Sequence, residues 1–188
     1  MASSDKKKYL GLIVILSAVL RLIRLGTFPY WSDEVHNLLA SEDIRGLFFQ
    51  GHYAANHPPF SYILLAIWRF LGMGINEWTV RGLRALFGVL GVLAVYWVGK
   101  MLFGARAGLF AALLLAVSPF QIVHAQDLKE YIYLPFFATM AIAFFYRGVV
   151  HNRWLDWILY GLFAAICCYT DAFAAPLLLT SNFWYLFM

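Results

Sequence analysis

Charge is what this chain has least of. Lys, Arg, Asp and Glu make up 13% of the 188 residues, against about 25% in ordinary soluble domains. Cysteine is nearly absent too. The only two, Cys167 and Cys168, are adjacent inside an apolar stretch, poorly placed for a structural disulfide, a metal site or redox chemistry, and read as small fillers. Several enzyme signatures are missing: no phosphate-cradling Gly-rich loop, no paired cysteine ligands, no nucleophile elbow and no HExxH. These absences argue against a nucleotide-binding active site within this chain. The formal charge of +4 and pI near 9.1 do not imply a nucleic-acid partner, because no basic helix or aromatic-interleaved basic stripe carries the surplus.

Apolar residues are what the chain has in excess. They make up 63% of it, and the mean hydropathy is +0.72, so water cannot be its main solvent. A spanning helix needs about 20 mainly apolar residues, with about 17 as a practical minimum. On that measure, which some stretches meet only marginally, the sequence predicts an all-α, polytopic transmembrane helix bundle of about six spans, at roughly residues 9–25, 83–99, 107–123, 131–146, 154–170 and 173–188. Residues 26–80 form a long segment between the first two spans, and the whole of 1–188 reads as one transmembrane domain. Because an apolar run reaches Met188 with no polar tail, the chain reads as the N-terminal portion of a longer protein.

Basic residues in short loops next to spans favour the cytoplasm. Lys6, Lys7 and Lys8 precede the first span, Lys100 and Arg106 flank the second link, and Arg147 and Arg153 flank the fourth. Arg21 and Arg24, rather than a small-residue cleavage site, follow the first apolar run, which makes it an uncleaved anchor. These positions share one side only if residues 26–80 lie outside and the apolar run at 60–71 does not cross. The expected topology is therefore that of a multi-pass cell-membrane protein with the N-terminus cytoplasmic and residues 26–80 outside. Asp33, Glu34, Glu42, Asp43, Glu77, Asp127, Glu130 and Asp171 then all face outward.

Two interfacial helices are predicted in the outer segment. Ser32 would cap the first, with Asp33 and Glu34 complementing the helix dipole and Val35, Leu38 and Leu39 sharing its apolar face. Pro58 and Pro59 would start the second at Phe60, with Ser61, Tyr62 and Arg69 keeping it half wet.

Charged groups kept beside membrane spans are functional candidates. Asp33 or Glu34 could serve as a general base for an incoming hydroxyl or amine, or both could simply start a helix. His57 could carry a proton or hold a ligand, or be a loop residue before two prolines. Arg81, Arg84 and Lys129 could gather around a phosphate, or the arginines could snorkel to the interface and Lys129 be neutralised by Asp127 and Glu130. Three classes of protein fit these groups: an enzyme acting on a membrane lipid, a small transporter or channel, and a noncatalytic scaffold subunit. Pro119, Pro135 and Pro176 inside spans are the features that suit a transporter, and they equally suit simple kinks.

In order along the chain stand a first span ending in Arg-Leu, the run Trp31-Ser32-Asp33-Glu34, then His57-Pro58-Pro59 and an aromatic-rich stretch to Gly72. An Arg opens the second span, and Leu102-Phe103-Gly104 and Ser118-Pro119-Phe120 lead to Gln126 and Tyr131. This series resembles the N-terminal half of membrane glycosyltransferases of the GT-C fold, in particular bacterial relatives of protein O-mannosyltransferases and lipid A aminoarabinose transferases. The resemblance implies transfer of a hexose or pentose from a polyprenyl-phosphate sugar donor to a glycan, lipid or protein acceptor on the outer face, with inversion. It gives Asp33 the role of catalytic base with Glu34 beside it, and His57, Arg81, Arg84, Lys129 and Tyr131 are the substrate-binding candidates. Lys129 stands where the family has an Arg, which keeps the charge and loses the bidentate fork. No cofactor is required. Asp33, Glu34 and His57 leave room for a divalent cation. The family's later spans are absent from these 188 residues, so this part alone is expected to be inactive.

Overall fold

The computed structural model describes residues 3–42, 58–172 and 174–186. Its helices are α1 (Ser3–Leu22), α2 (Ser32–Ala40), α3 (Phe60–Phe70), α4 (Glu77–Phe103), α5 (Ala105–Ala116), α6 (Pro119–Ala125), α7 (Tyr133–His151), α8 (Trp154–Thr170) and α9 (Ala174–Leu186), with a 3₁₀ turn at Glu130–Ile132 leading into α7. No strand occurs among the described residues. The all-helical expectation holds.

Among the described residues, two or three of the six expected spans meet the length and composition of a full crossing. Glu77–Phe103 and Glu130–His151 are long and apolar enough to cross a membrane, and α5 with α6 makes a third candidate only as one element bent by 58°. The shortfall has local causes. In α1 the first residues are Asp5 and three lysines, so the apolar part begins only at Tyr9. α8 has 17 residues and α9 has 13. The bend in the third candidate sits at Ser118-Pro119, where a proline with no N–H opens α6. Many outward-facing side chains are large and apolar, among them Leu12, Ile15, Phe103, Phe110 and Leu179. That is the surface of a membrane protein.

Two tight hairpins set the bundle's direction. Gly104, at φ 89°, joins α4 to α5, and Gly99 packs on Gly108 so closely that a Cβ on Gly108 would lie 2.6 Å from the Tyr96 carbonyl oxygen. Asn152, in the left-handed conformation, joins α7 to α8, and there Arg147 Nε donates to Asp156 Oδ1 at 2.8 Å. Both turns therefore lie at one end of the bundle, with Lys100, Arg106, Arg147 and Arg153 beside them. The starts of α4 and α7 and the ends of α1, α6 and α8 gather at the other.

That second end is held by reciprocal capping. The buried Arg21 of α1 donates to the carbonyls of Leu115 and Ala116, at the end of α5, and to Ser17. Gln126, just past α6, donates back to the carbonyls of Leu20, Arg21 and Ile23 at the end of α1. Each side chain satisfies carbonyls that a terminating helix leaves without partners. Gly88 makes room for this, since a Cβ there would meet Arg21 Nε at 2.5 Å. An aromatic core of Phe60, Phe87, Tyr133, Phe136, Phe137 and Phe163 packs beneath the site.

Helices form at both places where interfacial helices were expected, with a different cap on α2 and a different buried face on α3. Trp31, not Ser32, occupies the cap position of α2, and Ser32 is its first helical residue. Val35 and Leu39 are exposed, whereas Glu34, Asn37 and Ala40 face the bundle. Ser61 and Tyr62, expected to be wet, are buried, and Ile67 and Phe70 are exposed. The cause is the same in both helices. Polar side chains find their partners inside the bundle, where Asn37 donates to the Leu128 carbonyl and Arg84 approaches Ser61 Oγ, and apolar ones are free to face outward. Arg69 binds α3 to the end of α2 through the Leu38 carbonyl and Glu42.

Candidate active site

Four segments meet at the end opposite the two hairpin turns: the loop after α1, the first turn of α2, the first turns of α4, and the loop 126–129 between α6 and the 3₁₀ turn. The neighbouring acids of α2 are treated very differently. Glu34, 1% exposed, receives Arg81 Nε on Oε1 at 3.0 Å and Arg81 Nη2 on Oε2 at 2.6 Å, a bidentate pair of the strong kind. The same carboxylate accepts from the backbone N–H of Trp31 at 3.3 Å, so it also caps its own helix. Arg81 then donates to the carbonyls of Leu25, Phe28 and Pro29. One guanidinium thus folds the 25–29 loop around itself and pins α2 to α4.

Asp33, one residue earlier, points the other way. Its Oδ2 lies 2.6 Å from Lys129 Nζ, and its side chain stays 48% exposed. Lys129 sits over the Trp31 ring at 5.6 Å. Partial burial works against the Lys129 ammonium, but the hydrogen bond and charge of Asp33 outweigh it and raise its pKa above the usual lysine value. Lys129 is cationic at any physiological pH.

The loop that delivers Lys129 is held by Asp127, which accepts from the Lys129 backbone N–H at 2.9 Å and lies 3.2 Å from His124 Nδ1. Burial pushes the Asp127 carboxyl up, partly offset by those two contacts. Tyr30 donates to the Ile75 carbonyl. Burial, with Glu77 nearby, raises its phenol to about 12, so it stays neutral.

The remaining candidates are dispersed. Arg84 is fully buried against the Val80 carbonyl, Ser61 and the Tyr133 ring, and Arg81 is 4% exposed. Neither faces the open side. Tyr131 packs against His124 and lines a separate cavity of about 290 Å³ with Phe120, Leu134, Pro135 and Ala174. His57 lies outside the described residues. Among those described, no group of three His, Cys, Asp or Glu is placed to hold a metal, and the carboxylates of Asp33 and Glu34 already carry cationic partners.

A cavity of about 250 Å³ opens beside the acid pair, lined by Arg24, Leu25, Phe28, Pro29, Trp31, Glu34, Arg81, Gln126 and Asp127. Sequence reasoning missed Arg24 and gave Gln126 no role. The signal for Gln126 was its position past an apolar run, where a helix end needs donors; for Arg24 only its place beyond the span was visible.

Fold and site together define a helical membrane protein with an acid–base and cationic cluster gathered at one end of its bundle. More specifically, the chain belongs to the dolichyl-phosphate-mannose-protein mannosyltransferase family, which its residues 56–188 match. Asp33 and Glu34 precede that match. An uncharacterized protein of Aquifex aeolicus (strain VF5) is 25% identical over 161 residues, covering 81% of this chain and 32% of the relative. YkcB of Bacillus subtilis (strain 168), a mannosyltransferase by provisional assignment, is 26% identical over 171 residues, covering 85% of this chain and 24% of itself. The chain thus spans about a third and about a quarter of these two relatives' lengths. No solved structure matches it.

Proposed function

We propose that this chain forms the donor side of a membrane glycosyltransferase that moves a sugar, mannose in the first instance, from a polyprenyl-phosphate carrier to an acceptor at the outer face of a cell membrane, with inversion. Family membership supports the class of reaction. The observation that carries the site assignment is the division of the acid pair: Glu34 is buried and clamped by Arg81, while Asp33 is half exposed beside a cation.

The chemistry balances simply. The acceptor oxygen attacks the anomeric carbon from the face opposite the leaving group, the carbon–oxygen bond to phosphate breaks, and the phosphate departs with the electron pair. Asp33 takes the acceptor's proton as the new bond forms, the role of a general base. Lys129, whose ammonium donates to Asp33 at 2.6 Å, holds that carboxylate in place. Glu34 and Arg81 act by positioning: they fix the first turn of α2 and hence the direction of Asp33. The acceptor can be a glycan, a lipid or a protein. No cofactor enters the scheme.

The test is transfer by the full-length protein in liposomes from a mannosyl polyprenyl phosphate, with the anomeric configuration of the product read by NMR. An inverted product supports the reading. Solute uptake by the same liposomes without any sugar transfer would replace it with a transporter.

A further inference from the structure

The groups expected to meet a phosphate leave the role largely unfilled. Among the described residues at this end, Arg21, Arg81 and Arg84 are buried on protein partners, Arg69 pairs with Glu42 and Lys129 pairs with Asp33. Arg24 is different. It is exposed, lies over the Phe28 ring at 5.6 Å, stands two residues past the end of α1, and lines the 250 Å³ cavity. Its φ is 62°, a left-handed conformation uncommon for a residue with a Cβ and usually given to glycine after a helix end. An outlier of that kind beside a cavity is a reason to look for a ligand.

A second observation points to the same place. Between α1 and α4 runs an apolar groove of about 260 Å³, lined by Ala18, Leu22, Gly82, Ala85, Leu86 and Val89. Its walls adjoin the cavity's walls along both chains: Leu22 precedes Arg24 and Leu25, and Gly82 follows Arg81. Leu22 and Leu86 remain exposed, so the groove is open on its outer side. An apolar slot with a cation at its head and a polar chamber beyond is complementary to a molecule built as chain, phosphate and sugar.

We propose that this seam binds the donor lipid, with its prenyl chain in the α1–α4 groove, its phosphate on Arg24, and its sugar in the cavity against Trp31. This rests on the donor class given under Proposed function. The chamber's two acids do not oppose the phosphate. Glu34 is neutralised by Arg81, and Asp127, held by His124 and the Lys129 backbone, suits the hydroxyls of a sugar.

The experiment measures lipid binding to the full-length protein by native mass spectrometry, with polyprenyl phosphate, polyprenol, phosphatidylglycerol and inorganic phosphate as probes. Two variants separate the parts. Arg24→Ala should weaken polyprenyl phosphate about tenfold, the usual size of a charge-assisted contact, and leave polyprenol unchanged; Arg24→Lys should retain part of the affinity. Gly82→Leu, at a position where a Cβ meets nothing within 4 Å, should fill the groove and weaken polyprenol and polyprenyl phosphate alike. Wild-type affinity in either Arg24→Ala or Gly82→Leu overturns the proposal, as does wild-type protein that binds no polyprenyl phosphate. Equal binding of phosphatidylglycerol, or Arg24-dependent binding of inorganic phosphate indifferent to Gly82→Leu, overturns it in favour of a general lipid or anion site. Sugar transfer that persists without Arg24 dependence would sink this inference alone; Arg24-dependent lipid binding without transfer would sink the glycosyltransferase reading and leave the lipid site standing.

Discussion

Arg81 is the residue on which the local architecture turns. It was legible in the sequence as a cation at the start of a span, and its neighbours suggested a phosphate. What it does instead depends on contacts from residues about 50 positions away, which no local pattern encodes. The Arg81→Lys variant keeps one charge but gives up the fork that holds Glu34 and the donors that hold the Leu25, Phe28 and Pro29 carbonyls. Breaking a buried ion pair costs about 3–5 kcal/mol. Arg81→Lys is therefore expected to lower the melting temperature in detergent and to open the 25–31 loop to proteolysis. A protease-resistant loop and an unshifted melting temperature would show that the pair is ornamental.

Helices were easier to read than the faces they bury. The starts of α3 and α6 follow from prolines, and the ends of α4 and α7 from Gly104 and Asn152, all local signals. The exposed apolar residues of α2 and α3 suit an interfacial position, but the burial of Ser61 and Tyr62 was misread, because it depends on Arg84 and Ala40 from distant elements that no periodicity encodes. The α4–α5 hairpin gives a clean test at this scale. Gly108→Leu must push its Cβ into the Tyr96 carbonyl and the Lys100 backbone nitrogen, 2.6 and 2.7 Å away, and neither is a flexible side chain that can yield. Its yield of folded protein should collapse, while Gly82→Ala, facing open space on α4, should be neutral or slightly stabilising. Equal yields would mean that the hairpin is looser than its geometry.

For the whole molecule, the polarity of the bundle was the most legible feature, because charge segregation is written directly in the sequence. The hairpin turns put Lys100, Arg106, Arg147 and Arg153 at one end and the Asp33–Lys129 and Glu34–Arg81 pairs at the other. The number of crossings was less legible, since α1, α8 and α9 fall short of a full span by length or by charge. With Cys167 and Cys168 replaced by Ala, a cysteine at Thr27 should react with an impermeant reagent in intact cells and one at Arg153 only after permeabilisation. The reverse pattern would place the site in the cytoplasm and remove any donor presented outside. The central claim is narrower than topology: of two adjacent acids, Asp33 does chemistry and Glu34 holds it in place. The most direct measurement is therefore sugar transfer from a polyprenyl-phosphate donor by full-length Asp33→Asn and Glu34→Gln, with the melting temperature of each recorded alongside. Asp33→Asn preserves shape and should leave melting unchanged while transfer falls about 10²–10⁴-fold, the usual loss for a positioned base; Glu34→Gln should lower the melting temperature. Near-normal transfer by Asp33→Asn, or a loss of transfer confined to Glu34→Gln at unchanged stability, would contradict the account.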